Sequence, residues 1–443
     1  MPRLTNQHKS RLGFLGALLA AWFLALPAAA RAHETSAVHL HAFGELGCRL
    51  LDGDAFLAVR PGLVLEGERG HLVIAPLLHY WFDSAGRVRL RAEDLEVPSD
   101  YGRFLYSVKL QGARSRWSLK AGALAHQRLG SGAVVNDFVA SLDPDAWATA
   151  LRFDLVAGDF AWLEVLAGDI FAPGLLAARL SAAPMEWAGV GHWAARSWEV
   201  GVLAAADPAA PVELTGELEA GRRPGSRTGV LAVGAVDTKI VLYQGDRVSF
   251  SPYADAAVRM LGPSKGRGGL HLGMLSDLRL APRASLVVRG EARRLGTGYM
   301  AEHFDTWYSL ERWGFPAAGR TPKAVAEELE GGWGGKGEIV FAGDGLGLVA
   351  FAGDWRPGGP VNSSAHLELG GDTALTGAVH LAARGFGWLE EEMQSLLGLG
   401  EVRYRLTDAV YLVARGGRVF RVDEESARYR PAWDAALAVG GAI

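Results

Sequence analysis

Residues 433–443 read WDAALAVGGAI and alternate between two kinds of side chain. Trp433, Leu437 and Val439 share one apolar face, whereas Asp434 and several small residues occupy the other. Successive side chains of a β-strand point to opposite sides of the sheet. One lipid-compatible face and one small or polar face are typical of a transmembrane β-barrel, whose side chains meet lipid and lumen in turn. The stretch therefore predicts a closing barrel strand.

The same two-faced pattern recurs along the chain. It is longest at 247–260, where Val248, Phe250 and Val258 oppose Tyr253 and Asp255. Such a run exceeds a typical soluble strand and suits a tilted strand that crosses a bilayer. Shorter examples lie at 116–123, 212–220, 284–293 and 402–407. The sequence predicts an all-β, antiparallel transmembrane barrel of about 20 strands, within a range of roughly 16 to 24, since bacterial barrels close with even numbers.

A secreted β-sandwich is the alternative fold, because its strands also alternate. The outward face, however, is rich in alanine, glycine and leucine, whereas a packed sandwich core usually contains more β-branched bulk. Trp117, Trp187, Trp198 and Trp433 lie near segment ends, as an interfacial aromatic girdle requires. The lone Cys48 excludes an internal disulfide framework and is expected to point outward on the first strand.

The N-terminus predicts export. Four basic residues, at positions 3, 8, 9 and 11, precede the apolar run Leu12 to Leu26 and the small-residue site Ala30-Arg31-Ala32. This order is typical of a cleaved signal peptide, and the alternative is an uncleaved membrane anchor. We therefore expect residues 1–32 to be the signal peptide and residues 33–443 to form one barrel domain in the cell outer membrane.

Long interruptions separate some of the predicted strands. They lie at 83–103, 125–146, 295–335 and 385–399. Helical patterns occur within two of them, at Thr321 to Leu329 and at Trp388 to Leu397. A barrel of about 20 strands encloses a wide lumen, so we expect the long segments 295–335 and 385–399 to narrow or plug it.

Four segments resemble a group of largely uncharacterised Gram-negative outer-membrane barrel proteins with porin-like features. These segments are Arg91 to Tyr101, Leu129 to Asn136, Leu142 to Asp145 and Phe304 to Arg312. The resemblance implies an outer-membrane barrel and no particular biochemical activity. The chain departs from common barrels by ending in Ile443 instead of an aromatic residue, which bears on recognition of the C-terminal strand by the barrel assembly machinery.

Charged residues on the predicted inward face are the candidate lining of a pore, because they would be costly against lipid. The candidates are Arg89, Arg91, Arg116, Lys120, Glu213, Glu217, Glu219, Asp255, Arg259, Arg289, Glu291, Arg293, Arg403 and Arg405. Arginine and acidic stripes that face each other would create a transverse field in a constriction, and weak or mixed ion selectivity would follow. The alternative is that these charges simply pair across the lumen.

Metal binding and catalysis have little support in the sequence. His39 and His41 share a face with Glu45, but no further ligand is indicated, and the spacing of Asp137, Asp143 and Asp145 does not match a calcium loop. No nucleophile signature surrounds the serines and histidines considered, which are Ser131, Ser364, His126 and His366. We expect no metal, no cofactor and no enzyme activity.

Function is therefore predicted from the barrel itself. We expect a loop-constricted passive channel for small polar solutes or ions, with a non-conducting receptor or scaffold that acts through its long loops as the alternative. Expected partners are outer-membrane lipid, the barrel assembly machinery and the solutes. The net charge of −4 provides no basic stripe for nucleic acid.

Overall fold

The computed structural model describes most of the chain from residue 38 onward. The described residues are 38–442 without 113–115, 142–146, 173, 220–222, 263–264, 307, 314–321, 326–329, 344–346, 356–360, 371–378, 390–396, 408 and 424–425. Within them, no helix combines the length and hydropathy needed to cross a membrane. The predicted signal peptide lies outside the described residues.

Antiparallel strands make up most of the described chain, and 23 of them form one sheet. The strands are β1 Val38–Leu51, β2 Asp54–Gly67, β3 Gly70–Ile74, β4 Leu78–Phe82, β5 Val88–Leu90, β6 Leu105–Gln111, β7 Trp117–Gly122, β8 Ala150–Ala157, β9 Ala161–Ala167, β10 Leu176–Ala182, β11 Glu199–Glu219, β12 Arg223–Lys239, β13 Tyr243–Gln244, β14 Val248–Leu261, β15 Gly268–Ala281, β16 Ala284–Leu295, β17 Gly332–Gly343, β18 Gly347–Trp355, β19 Val361–Gly370, β20 Val379–Leu389, β21 Leu397–Arg405, β22 Val410–Asp423 and β23 Arg428–Ala442.

Helical structure in the described residues is short and confined to connections. The α-helices are α1 Pro98–Tyr101, α2 Pro184–Trp187, α3 Trp193–Arg196 and α4 Tyr308–Glu311, and the 3-10 turns are Ala92–Asp94, Gly102–Phe104 and Lys323–Val325. The last turn falls within the helical pattern predicted from Thr321. The helix predicted at Trp388 to Leu397 is wrong at both ends, because Trp388 belongs to β20 and Leu397 begins β21.

The sheet closes on itself. Strands β3 and β4 both pair with β2, and strands β12 and β13 both pair with β14, so β4 and β13 add no new position to the ring. Strand β5 pairs with β4. Without β4, β5 and β13, 20 of the 23 strands form the ring. The ring closes where Phe43 to Leu51 of β1 pair with Ala442 to Asp434 of β23. Every pairing in the ring is antiparallel, and an even number of strands allows β1 and β23 to pair antiparallel as well. The predicted transmembrane barrel of about 20 strands is confirmed.

The two faces of the ring differ as the alternation predicts. Leu437, Val439 and Trp433 of β23 point outward and are exposed, and Cys48 is exposed on β1. Inward positions carry buried charged residues, and examples are Glu45, Arg49, Arg179, Asp237, Asp255, Arg289, Glu291 and Lys336. A β-sandwich requires an apolar face turned toward its core, but here the inward face carries charged residues and the apolar face is outward. The outward face is therefore the one that meets lipid.

The connections differ between the two ends of the barrel. The end that holds Val38 and Ala442 has mostly short turns, including 68–69, 158–160 and 282–283. The opposite end, called the loop end here, has the long segments 75–104, 123–149 and 296–331. Outer-membrane barrels place short turns in the periplasm and long loops outside the cell.

The lipid-facing surface can be tested at Met274, an exposed outward residue midway along β15. We expect Met274→Arg to lower the free energy of unfolding by about 2–4 kcal/mol, because arginine is costly near the bilayer midplane, and Leu280→Arg at the strand end to lower it by about 0–1 kcal/mol. Equilibrium unfolding in lipid vesicles measures both. Equal effects at the two positions would contradict this orientation.

Candidate functional site: the constricted lumen

Two long connections at the loop end fold into the lumen and pair with each other. We call residues 123–149 the first plug loop and residues 296–331 the second plug loop. Val135 forms a parallel bridge with Phe304. Phe304 donates its backbone N–H to Val134 at 3.0 Å, and Glu302 donates to Ala133 at 2.8 Å. These bonds make the plug loops one unit, and both belong to segments in which the sequence resemblance was noted.

The plug loops have a hydrophobic core shared with the barrel wall. Phe304 and Val135 are fully buried, and Leu129 and Phe138 nearly so. They cluster with inward side chains of the wall, including Leu166, Leu203, Leu231 and Val233. Each such buried side chain contributes about 1.5–3 kcal/mol relative to exposure. The described parts of the loops are therefore packed against this part of the wall.

A buried ionic network joins the wall to the second plug loop. Glu291 accepts hydrogen bonds from Tyr253 at 2.6 Å, Arg289 at 2.8 Å and Arg293 at 2.5 Å, and it is bonded to His271 at 2.8 Å. Arg293 also donates to Glu302 at 2.5 Å. Lys336 donates to both carboxylate oxygens of Glu302, at 2.8 and 2.9 Å. Glu302 is thus the loop carboxylate that the wall cations hold.

The first plug loop is fixed by a tight turn against the wall. Ser131 donates its hydroxyl to Asp255 at 2.5 Å, and Arg289 donates to Asn136 at 3.2 Å. Gly130 has a positive φ of 59°, and a Cβ there would lie 2.8 Å from Nε of Arg179. Glycine is required at this position because a side chain would collide with Arg179, which is itself bonded to Asp237.

The second plug loop has one further ionic anchor to the wall and one internal ionic contact. Asp207 of β11 accepts a hydrogen bond from the Tyr308 hydroxyl at 2.5 Å and forms an ion pair with Arg312 at 3.0 Å. Within the loop, Lys323 is completely buried and donates to Asp305 at 3.0 Å and also to Glu311. A buried cation left without its carboxylates is strongly destabilising, so the Lys323 contacts maintain the conformation of the loop itself.

Two loop carboxylates have lowered pKa values. Burial raises the pKa of Asp137, but the hydrogen bond from His126 and the positive charges of His126 and Lys336 outweigh it. Burial also raises the pKa of Glu302, but Arg293 and Lys336 lower it to about 2. A carboxyl group whose pKa is depressed on folding stabilises the folded form above its unfolded pKa, and this contribution is lost as the pH falls.

A cavity remains beside the plug. Its volume is about 310 Å³, and its charged lining consists of Glu45, Arg49, Arg60, Arg103, Glu401, Arg415 and Asp434, together with Tyr106 and Trp147. The cavity lies along β1, β2, β6 and β21–β23, away from the larger core that the plug loops share with the wall. Trp147 and Ser141 of the first plug loop border it. A smaller core joins the plug loops to β1, β22 and β23 toward the loop end, and it includes Leu51, Val139, Met300, Val419 and Ala432. The plug loops therefore contact the wall on both sides of the lumen, and the cavity is the space left between these contacts.

The cavity charges are paired with each other across neighbouring strands. Arg49 is bonded to Asp434 at 2.7 Å, and Arg415 to Glu45 at 2.9 Å. Arg60 lies 3.7 Å from Glu45. Both signs are thus present along one wall, as pairs and not as the separate opposing stripes that the sequence suggested.

A second, wider basin of about 860 Å³ lies at the loop end. Its lining carries both acidic and basic side chains, and these are Asp52, Asp54, Arg89, Arg91, Glu93, Arg421, Asp423 and Arg430. Arg430 is bonded to Asp52 at 2.5 Å, so this rim is also internally paired.

The predicted lining residues fall into distinct groups. Asp255, Arg259, Arg289, Glu291 and Arg293 are inward and buried at the contact between wall and plug. Lys120 and Arg403 are inward and half-buried. The remaining described candidates lie at one end of the barrel, in a turn or in the protruding β11–β12 hairpin. They are Arg89, Arg91, Arg116, Glu213, Glu217 and Arg405. The side chain of Glu219 lies outside the described atoms.

Sequence reasoning missed several cavity residues. Arg49, Arg60 and Arg415 were not among the candidates, although each occupies an inward position of its strand. Their parity was readable from the sequence. Their convergence was not, because β22 comes close to β1 and β2 only through β23 and ring closure.

The residues considered for metal binding or catalysis occupy other contacts. His39 and His41 lie on β1, and Ser131 and His126 are bonded to Asp255 and Asp137. The described residues contain no group of three or more histidine, cysteine, aspartate or glutamate residues that could hold a metal ion. Asp143 and Asp145 lie outside them.

Three solved structures of outer-membrane proteins are similar over most of this chain. The ferric enterobactin receptor of Pseudomonas aeruginosa covers 91% of this chain and 81% of its own, at 8% identity and a TM-score of 0.37. Wzi of Escherichia coli, a carbohydrate-binding barrel, covers 91% and 84%, at 10% and 0.36. A BenF-like porin from Pseudomonas fluorescens covers 93% and 99%, at 8% and 0.34.

No protein-family model matches the sequence, and no curated protein matches it. The structural similarities are too distant to indicate a function. The resemblance to an uncharacterised barrel family stays a prediction.

Removal of the Glu302 charge should loosen the plug. We expect Glu302→Gln to lower the local opening free energy of the second plug loop by about 3 kcal/mol, because Lys336 and Arg293 lose a buried partner. Amide exchange at positions 302 and 304 should then accelerate by about a hundredfold. The control is Glu213→Gln, which removes an exposed ion pair with Arg227 and should change little. An unchanged exchange rate in Glu302→Gln would contradict the role of Glu302 as an anchor of the second plug loop.

Acid should weaken the same contact. Because the pKa of Glu302 falls to about 2 on folding, its stabilisation should be complete above the unfolded value of about 4.5 and decline as the pH falls toward 2. The measurement is amide exchange at positions 302 and 304 between these pH values, corrected for the intrinsic rate. Glu302→Gln should lack most of this pH dependence, and an identical profile in both proteins would exclude Glu302 as its source.

Proposed function

We propose that this protein is an outer-membrane barrel that conducts small polar solutes or ions through a lumen narrowed by the plug loops. The observation that carries the proposal is the charged cavity of about 310 Å³ that remains beside the packed plug. A ring of 20 strands encloses more space than side chains alone fill. The plug loops fill part of that space, and the remaining cavity, lined by paired charges, suits hydrated solutes.

The outer-membrane location is supported by the outward face and the closed sheet. A closed barrel satisfies every strand hydrogen bond internally, which hydrocarbon requires. The exposed outward residues form an apolar band, and exposed examples are Leu180, Val202, Leu270, Leu272, Ile339, Phe351 and Leu437. The predicted signal peptide would supply the export that such a location needs.

The cavity lining favours weak ion selectivity. Four arginines and three carboxylates contribute to it, and each carboxylate contacts at least one cation. The fourth arginine, Arg103, is paired with Asp100 at 3.5 Å. Rows of paired charges set up a local transverse field and discriminate little between small ions of either sign.

A receptor or scaffold is the second candidate function. The observation in its favour is the shared core of plug and wall, which makes the loops a rigid surface at the loop end. In that case the residual cavity would be closed at one end and the barrel would not conduct.

Planar-bilayer recording of the purified protein tests the channel. We expect discrete conductance steps, and we expect Arg415→Gln to shift the cation-to-anion permeability ratio by about twofold toward cations, because Glu45 and Glu401 lose a neighbouring cation. The control is Arg227→Gln, an exposed arginine of the β11–β12 hairpin. Correctly inserted protein without conductance would favour the receptor, and an unchanged ratio in Arg415→Gln would exclude this cavity as the pathway.

A further inference from the structure

The outward face of the ring carries charge at very few positions. The outward positions are the alternate residues of each described ring strand, counted as far as Asp207 on β11 and from Leu231 on β12. Arg294 on β16 and Arg418 on β22 are the charged residues at those positions, and both are basic. This surface thus combines an apolar band with two basic residues on separate strands.

Arg294 is exposed and lies next to the last residue of β16, at the loop end. Its outward cross-strand neighbours are Leu270 and Trp333. The guanidinium carbon lies 5.9 Å from the centroid of the Trp333 ring, and Trp333 is 60% exposed. The arginine and the tryptophan therefore form one outward-facing pair.

Arg418 lies on another part of the ring. Its cross-strand neighbour on β23 is Trp433, which is 72% exposed on the outward face. Arg418 also lies in the half of β22 that approaches the loop end. Two outward arginines, each with an exposed tryptophan as cross-strand neighbour toward the same end of the barrel, indicate a shared environment.

That environment is the boundary between hydrocarbon and headgroups. An outward arginine costs about 2–4 kcal/mol at the bilayer midplane and about 0–1 kcal/mol near the interface. Tryptophan is enriched at this boundary because its ring is apolar and its N–H is polar. The negative groups available there are lipid phosphates, and a guanidinium binds phosphate through two parallel hydrogen bonds.

We propose that Arg294 and Arg418, each beside its tryptophan, bind the phosphate groups of phosphorylated lipid headgroups in the leaflet at the loop end. In an outer membrane this leaflet contains phosphorylated glycolipid. The site is separate from the lumen, so lipid binding and conduction can succeed or fail independently.

The test is native mass spectrometry of the full-length barrel in detergent, with diphosphoryl lipid A and its dephosphorylated form as probes. We expect the wild-type protein to bind the phosphorylated probe about tenfold more tightly, because charge-assisted bonds to phosphate are the stronger ones. We expect Arg294→Gln combined with Arg418→Gln to remove most of that difference. Heat-modifiable migration on a gel checks that each variant is folded.

The matched control removes two exposed arginines from turns at the opposite end, Arg247→Gln with Arg283→Gln. It should retain the tenfold preference. An equal loss in the control would mean that total charge, and not the two sites, determines binding. Equal binding of both probes by the wild-type protein would overturn the proposal even if the double variant fails to fold.

Discussion

Closure of the sheet between β1 and β23 is the constraint on which the remaining structure depends. Hydrocarbon cannot satisfy backbone N–H and C=O groups, so an open edge would be prohibitive and the ring has to be complete. Closure requires an even number of antiparallel strands. Closure also determines which side chains face the lumen and which face lipid, because a shift of one residue in the strand register would turn each inward charge toward lipid.

The wide ring creates a second problem, which is the space inside it. The plug loops pack on the wall through two apolar cores, and ionic contacts through Glu302 and Asp207 hold them there. Buried ion pairs gain little net stability, but they cost much when one partner is lost. They therefore define the position of the plug more than they stabilise the barrel. The cavity is the space that this packing leaves along the wall.

The outside and inside of the barrel treat charge in opposite ways. Inward charges are numerous and paired, and the pairs join the wall to the loops or line the cavity. Outward charges are limited to Arg294 and Arg418 on the described ring, each beside a tryptophan. The same residue type thus has a structural role inside and a role toward the membrane boundary outside, because the two surfaces meet different solvents.

The sequence by itself determined the fold, because alternation is a local property: residues 247–260 and 433–443 show both faces without reference to any neighbour. It also marked 125–146 and 295–335 as long interruptions, and the described parts of both fold inward. The expectation that 385–399 would also fill the lumen is wrong, because β20 runs to Leu389 and β21 begins at Leu397. Only the tertiary structure decided that Val135 meets Phe304, that Arg293 reaches Glu302, and that Arg49 and Arg415 share a cavity with Asp434. These contacts join residues far apart in the chain, and they depend on ring closure and loop packing, which no local pattern encodes.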